Sequence, residues 1–219
     1  MADVVVFQPT EPWPGLTKLQ SEPLVDVEPV ERKTAYRFHR DMFSVRLAYV
    51  RHPHHPHFLI PFSEYDDFVL QDKFNETLRV LTALGASSIR CSSHRERSKR
   101  FGAKVAVGPA KVDAKREHAR SSRFDYEFAG SGGTPSDPRP LRWPGEPGME
   151  AAIEGVLRNG ATSVRITVKR DDSVSVNTDI PVRLQKIGVE LGLHSARGQV
   201  DTLDFDATFP QRSRAQRGR

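Results

Sequence analysis

The sequence predicts an α+β fold of two tandem related units with pseudo-twofold symmetry. Each unit reads helix, strand, optional helix, strand, strand, with antiparallel sheets packed on the helices. Three observations lead there. Residues 78–90 (LRVLTALGASSIR) return as residues 153–165 (IEGVLRNGATSVR), with the apolar positions and the Gly-Ala pair in step. Residues 101–107 (FGAKVAV) are answered by 187–193 (IGVELGL), and 124–128 (FDYEF) by 203–209 (LDFDATF), in the same order along the chain. A helix that lays one apolar stripe on a small sheet buries little alone, so two copies are expected to pair their sheets or share one.

Residues 1–35 carry Pro9, Pro12, Pro14, Pro23 and Pro29 and no sustained apolar period, which reads as an extended arm. The first unit spans 36–129. In it Phe43, Val45, Leu47 and Tyr49 alternate with more polar neighbours and predict a strand over 43–50. A His-Pro loop at 52–57 leads to a short strand at 58–60. Ser63 is placed to cap a helix, with Glu64, Asp66 and Asp67 in its first turn, where they favour the helix dipole. Phe68, Leu70, Phe74, Leu78, Leu81 and Leu84 recur mostly at three and four and carry that helix to Leu84. Gly85 suits the left-handed position that ends it. A strand at 87–92 follows, then a hairpin of 103–112 and 122–129 with a charged tip at 111–121.

Residues 130–147 are a linker by their Gly and Pro content. The second unit spans 148–210. It begins with a helix over 148–158, stopped by Asn159 and Gly160, and a strand over 163–168. Asn177 or Thr178 is placed to cap an inserted helix that accepts Pro181 in its first turn and ends at Gly188. Strands at 189–193 and 200–209 close the unit, and residues 211–219 form a basic tail.

Of the 219 residues, 37% are hydrophobic and 28% charged, and no run of about eighteen apolar residues is present to span a membrane as a helix. The first residues lack the basic start and apolar core of a signal peptide, and the lone Cys91 offers no internal disulfide, so a cytoplasmic location is expected. Cys91 stands where the second copy has Ile166, which points to a small buried apolar side chain. The net charge of +5 is polarised. Four arginines and no acid lie in 211–219, and eleven Lys and Arg against Glu96, Asp113 and Glu117 lie between Arg90 and Arg123, leaving the remainder at −7. Such a distribution steers an anionic partner to one face.

The candidate anion-binding set is Arg95, Arg97, Lys99, Arg100, Lys115, Arg116 and Arg120, acting by charge neutralisation and counterion release rather than base readout. Nucleic acid, an acidic protein and an acidic lipid surface touched peripherally are the partner classes, with homo-oligomers or a larger complex as an added expectation. His52, His54, His55 and His57 form the one cluster with metal-ligand chemistry, because His-x-His in an extended segment sets two imidazoles on one side. A third ligand would come from His39, Cys91 or His94. No glycine-rich phosphate loop, Gly-x-Ser-x-Gly elbow, His-Glu-x-x-His or CxxC pair appears, and no cofactor is implied. The leading expectation is therefore a non-catalytic binding protein. The alternative is a small-ligand or metal-dependent enzyme with its site in the groove between the copies.

Overall fold

Four apolar residues in a row, with no polar alternation, mark a strand buried on both faces. Val4, Val5, Val6 and Phe7 are all at most 2% exposed. They form β1 (Val4–Gln8) in a computed structural model that describes residues 4–10, 25–94, 124–169 and 202–211. Among these, residues up to 69 form one compact unit and residues from 70 onward another.

In the first unit β1 lies inside a five-stranded mixed sheet with β2 (Val25–Pro29), β3 (Arg37–Phe38), β4 (Ala48–His52) and β5 (His55–Pro61), in the order β2-β1-β4-β5-β3. β1 runs parallel to β2 and antiparallel to β4, which in turn pairs antiparallel with β5. Residues expected as an extended arm thus supply two strands, one of them interior. The expected strand at 43–50 begins only at Ala48, because residues 43–47 turn back so that the Tyr49 hydroxyl can accept the Ser44 backbone N–H at 2.7 Å.

Strand alternation puts Val5, Phe7, Tyr49 and Leu59 on one face, where Tyr36, Phe38, Phe43 and Leu47 close over them. The Phe7 ring meets Tyr36, Phe38, Phe43 and Tyr49 at centroid distances of 5.2 to 5.9 Å, three of them edge-on, the geometry that aromatic quadrupoles favour. Arg51 shares this face and is held there by Asp26, by the Tyr36 hydroxyl at 3.3 Å and by the Pro56 carbonyl at 3.3 Å.

A 3₁₀ turn (Phe62–Glu64) leads into α1 (Tyr65–Ala83), and the boundary between the units falls within α1, between Val69 and Leu70. The second unit continues with β6 (Ser88–His94), β7 (Tyr126–Ala129), α2 (Pro147–Leu157), β8 (Ser163–Lys169) and β9 (Thr202–Thr208). Its sheet is wholly antiparallel, in the order β7-β6-β9-β8. Leu70, Phe74 and Leu81 of α1, Leu84 just after it, and Met149, Ile153 and Val156 of α2 pack on Ile89, Cys91, Ile166, Val168, Leu203 and Phe205 of the sheet, forming one core. The class is therefore α+β, with helices and two sheets.

Within the second unit the order helix, strand, strand occurs twice, with matching registers. Ile89 faces Phe128 and Cys91 faces Tyr126 in the first hairpin; Val164 faces Ala207 and Ile166 faces Phe205 in the second. Both helices are followed by a left-handed glycine, Gly85 at φ 79° and Gly160 at φ 67°. Beyond the second strand, the Gly130 N–H donates to the Ser87 carbonyl at 2.7 Å and the Phe209 N–H to the Thr162 carbonyl at 2.8 Å. A twofold axis relating the hairpins strand for strand would set like strands side by side. Here β6 neighbours β9 instead, so the strand order does not show the expected pseudo-twofold. The block at 101–107 and 187–193, the hairpin tip and the inserted helix at 177–188 lie outside the described residues.

Residues 130–146 contain no helix or strand, yet they strap the second unit. Glu76, fully buried, accepts from Arg79 Nε and Nη2 and from the Arg142 backbone N–H, each at 2.7 Å. Burial raises the Glu76 pKa, but the bonds from Arg79 and Arg142 outweigh it and hold the carboxyl below its ordinary value. Trp143 is buried, donates to Asp72 at 2.8 Å and lies under the Lys73 ammonium, 5.0 Å from the ring centroid. Lys73 also pairs with Glu146 and donates to the Lys169 carbonyl at 3.3 Å.

Candidate functional site

The period of two that buries Ile89 and Cys91 turns Ser88, Arg90, Ser92 and His94 to the face of the second unit's sheet opposite α1 and α2. β8 does the same with Ser163, Arg165, Thr167 and Lys169. The register then lays Glu127, Arg90, Asp206 and Arg165 in one row across four strands. Arg90 donates twice to Glu127 at 2.9 and 2.7 Å, and Arg165 Nε donates to Asp206 at 2.7 Å. One step along, Thr167 donates to Asp204 at 2.7 Å, and His94 Nε2 lies 3.3 Å from the same carboxylate. A shallow cleft of about 460 Å³ lies over this row, lined by Ser88, Arg90, Ser163, Arg165, Asp206 and Thr208.

Acids and bases alternate along the row, so each charge is answered by its neighbour and the face presents hydrogen-bonding groups without a strong net field. Cys91 points the opposite way, into the core. Burial, reinforced by Asp125 and Asp204, pushes its thiol up to about 12, which leaves it protonated and unreactive at neutral pH.

The histidine segment is more ordered than an exposed loop. β5 starts at His55, so only Pro53 and His54 remain as the turn. His52 is 3% exposed, and its Nδ1 accepts the His54 backbone N–H at 3.1 Å, which fixes the ring. Its neighbours are His55 at 4.8 Å, Phe68 at 5.9 Å and Phe58 at 6.1 Å between centroids. His57 sits apart, against Tyr36. Of the expected third donors, His39 packs edge-on against Phe68 at 4.8 Å with Glu64 at 3.3 Å, while Cys91 and His94 belong to the second unit's sheet. Among the described residues no three His, Cys, Asp or Glu side chains are placed to hold a metal ion.

The expected anion-binding residues Arg95, Arg97, Lys99, Arg100, Lys115, Arg116 and Arg120 lie outside the described residues, as does the tail from Arg212. The chain on either side of the basic segment is described: His94 ends β6, and Phe124, 2% exposed, joins the core. Sequence reasoning missed the buried polar belt of Lys73, Glu76, Thr77 and Trp143. Its signal was present, since Lys73, Glu76, Thr77 and Val80 recur at three and four beside the apolar stripe. Charged side chains on a helix are assigned to solvent by default, and that default hid it.

Compared with known protein families, curated proteins and solved structures, the chain matches none. No described helix is long and apolar enough to cross a membrane.

Proposed function

We propose that the chain is a non-catalytic binding protein that engages an anionic partner through the basic segment joining β6 to β7, assisted by the arginine-rich tail. The observation that carries this is the concentration of charge: between Arg95 and Arg123 ten Lys and Arg stand against three acids, while the chain outside this segment and the tail is acidic. Flanking chain packed into a folded unit on both sides gives such a segment a fixed base. The described open face is charge-balanced, which leaves the anion contact to Arg95, Arg97, Lys99, Arg100, Lys115, Arg116 and Arg120. Phosphates on nucleic acid or on an acidic surface would be held by neutralisation, with the steep salt dependence of counterion release.

The same reading treats the second unit as a duplicated helix-strand-strand module. Support comes from the shared registers, the paired left-handed glycines and the equivalent ion pairs Arg90–Glu127 and Arg165–Asp206. The copies then differ chiefly in what joins their strands, and the basic segment belongs to one copy alone.

The test is binding of the purified chain to fluorescent single- and double-stranded oligonucleotides and to anionic liposomes, at low and physiological salt. Salt-sensitive binding that disappears on charge reversal at Arg97, Lys99 and Arg116 supports the proposal, and the probe that binds names the partner class. Absence of binding to every probe at low salt overturns it.

A further inference from the structure

The two outer strands of the second unit's sheet are unlike the inner ones. Among the described residues β7 and β8 each have a neighbour on one side only. On β7 this leaves Tyr126 37% and Phe128 39% exposed, although both point to the side of the sheet that carries the core. Their counterparts on β9, Phe205 and Ala207, are 0% and 2% exposed because β9 is flanked by strands on both sides. Among the described residues, the difference in burial goes with the second neighbour that β9 has and β7 does not. Exposed strand edges with apolar side chains are sites for strand addition.

The junction of β6 with β9 shows what a neighbour for β7 would look like, since it joins the first strand of one hairpin to the second strand of the other. There Ile89 faces Ala207, Arg90 faces Asp206 and Cys91 faces Phe205. We propose that the chain self-associates head to tail, β8 of one copy pairing antiparallel with β7 of the next in this same register. Val164 would then face Phe128, Arg165 would face Glu127 and Ile166 would face Tyr126. Every contact has its precedent inside the molecule: apolar beside aromatic on the core side, and arginine beside carboxylate on the open side. Charge selects this pairing over β8 with β8, which would bring together strands bearing Arg165 and Lys169. The contact is heterologous, so it leaves one edge free at each end and grows beyond two copies unless it closes into a ring.

Sedimentation velocity from low micromolar to about millimolar chain concentration tests this. Wild type should show species larger than dimer that increase with concentration. Arg165→Glu and Glu127→Arg, both at exposed positions, should each weaken association at least tenfold, with circular dichroism confirming the fold. An equimolar mixture of the two should restore assembly, because each reversed side chain then meets an opposite charge. Phe128→Lys should abolish association without needing either charge change. A wild type that is monomeric throughout, or a mixture that fails to assemble although wild type does, overturns the proposal. A dimer that persists in Phe128→Lys would mean a different interface and overturns it as well.

Discussion

Glu76 is the buried charge on which the strap over the second unit depends, and replacing it tests that account directly. Glu76→Gln keeps the size, removes the charge and turns one acceptor into a donor facing Arg79 or the Arg142 N–H. Hydrogen bonds to a charged group contribute roughly 1.5–3 kcal/mol each, and breaking a buried pair from one side costs about 3–5 kcal/mol. The expected loss is about 3–5 kcal/mol, a large part of the roughly 5–15 kcal/mol that holds a domain together. In melting temperature that is a fall of about 6–20 °C for a chain of this size. Urea unfolding followed by Trp143 fluorescence reads it, in a Trp13→Phe background where Trp143 is the sole tryptophan. Because the folded-state pKa lies below the ordinary value, the stabilisation is fully present above the unfolded pKa of about 4.3 and is lost as pH falls through the folded value. The gap between wild type and variant should therefore be widest near neutrality and narrow below about pH 4. A variant within about 1 kcal/mol of wild type at pH 7, or a gap that stays constant into acid, would refute the reasoning.

Gly85→Ala should cost more than the roughly 1–2 kcal/mol of a left-handed alanine, because its Cβ would stand 2.2 Å from the Gly133 carbonyl oxygen. Gly133→Ala, whose Cβ would meet nothing nearer than 3.9 Å, is the control in thermal melts and should stay within about 1 kcal/mol of wild type. Cys91 should resist a thiol reagent at pH 8 in the native state and react fully in urea; rapid native labelling would contradict its burial and raised pKa. Burial lowers the His39 pKa more than Glu64 raises it, so its NMR titration midpoint should lie below about 6.5. The unfolded chain then takes up that proton first, and stability of the first unit should fall as pH drops below about 6.5. His39→Asn should flatten that slope, and an unchanged slope would assign it to other groups.

Much of the fold was legible because the relevant signals are local. Phe68 to Gly85 carries apolar face and stop, and α1 ends at Ala83 with Gly85 in the left-handed conformation, whereas Ser63, expected as the cap, lies within the 3₁₀ turn before the helix. Alternation placed β6 and β8 within a residue or two of their observed bounds. β1 was missed for the same kind of reason: buried on both faces, Val4 to Phe7 has no alternation to read, and nearby prolines suggested an arm. Strand order was not legible, since it depends on which distant edges meet. Of the candidate sites, composition singled out the histidines. What the pattern could not convey was that His52 turns inward and is fixed by the next turn's N–H.

The register around β9 has a consequence for how the second unit is made. Ser88 and Ser163 both sit opposite Thr208, so a single strand sets the alignment of the two hairpins. That strand meets the first hairpin across a separation of 121 residues, measured at the Ser87–Thr208 contact, a loop whose closure must precede any gain from the pairing. Until β9 has been synthesised and docked, β6 keeps an open edge and the core lacks Leu203, Phe205 and Ala207. A nascent chain carrying only the first hairpin is thus an aggregation-exposed species, and the unit matures in one late step rather than half by half.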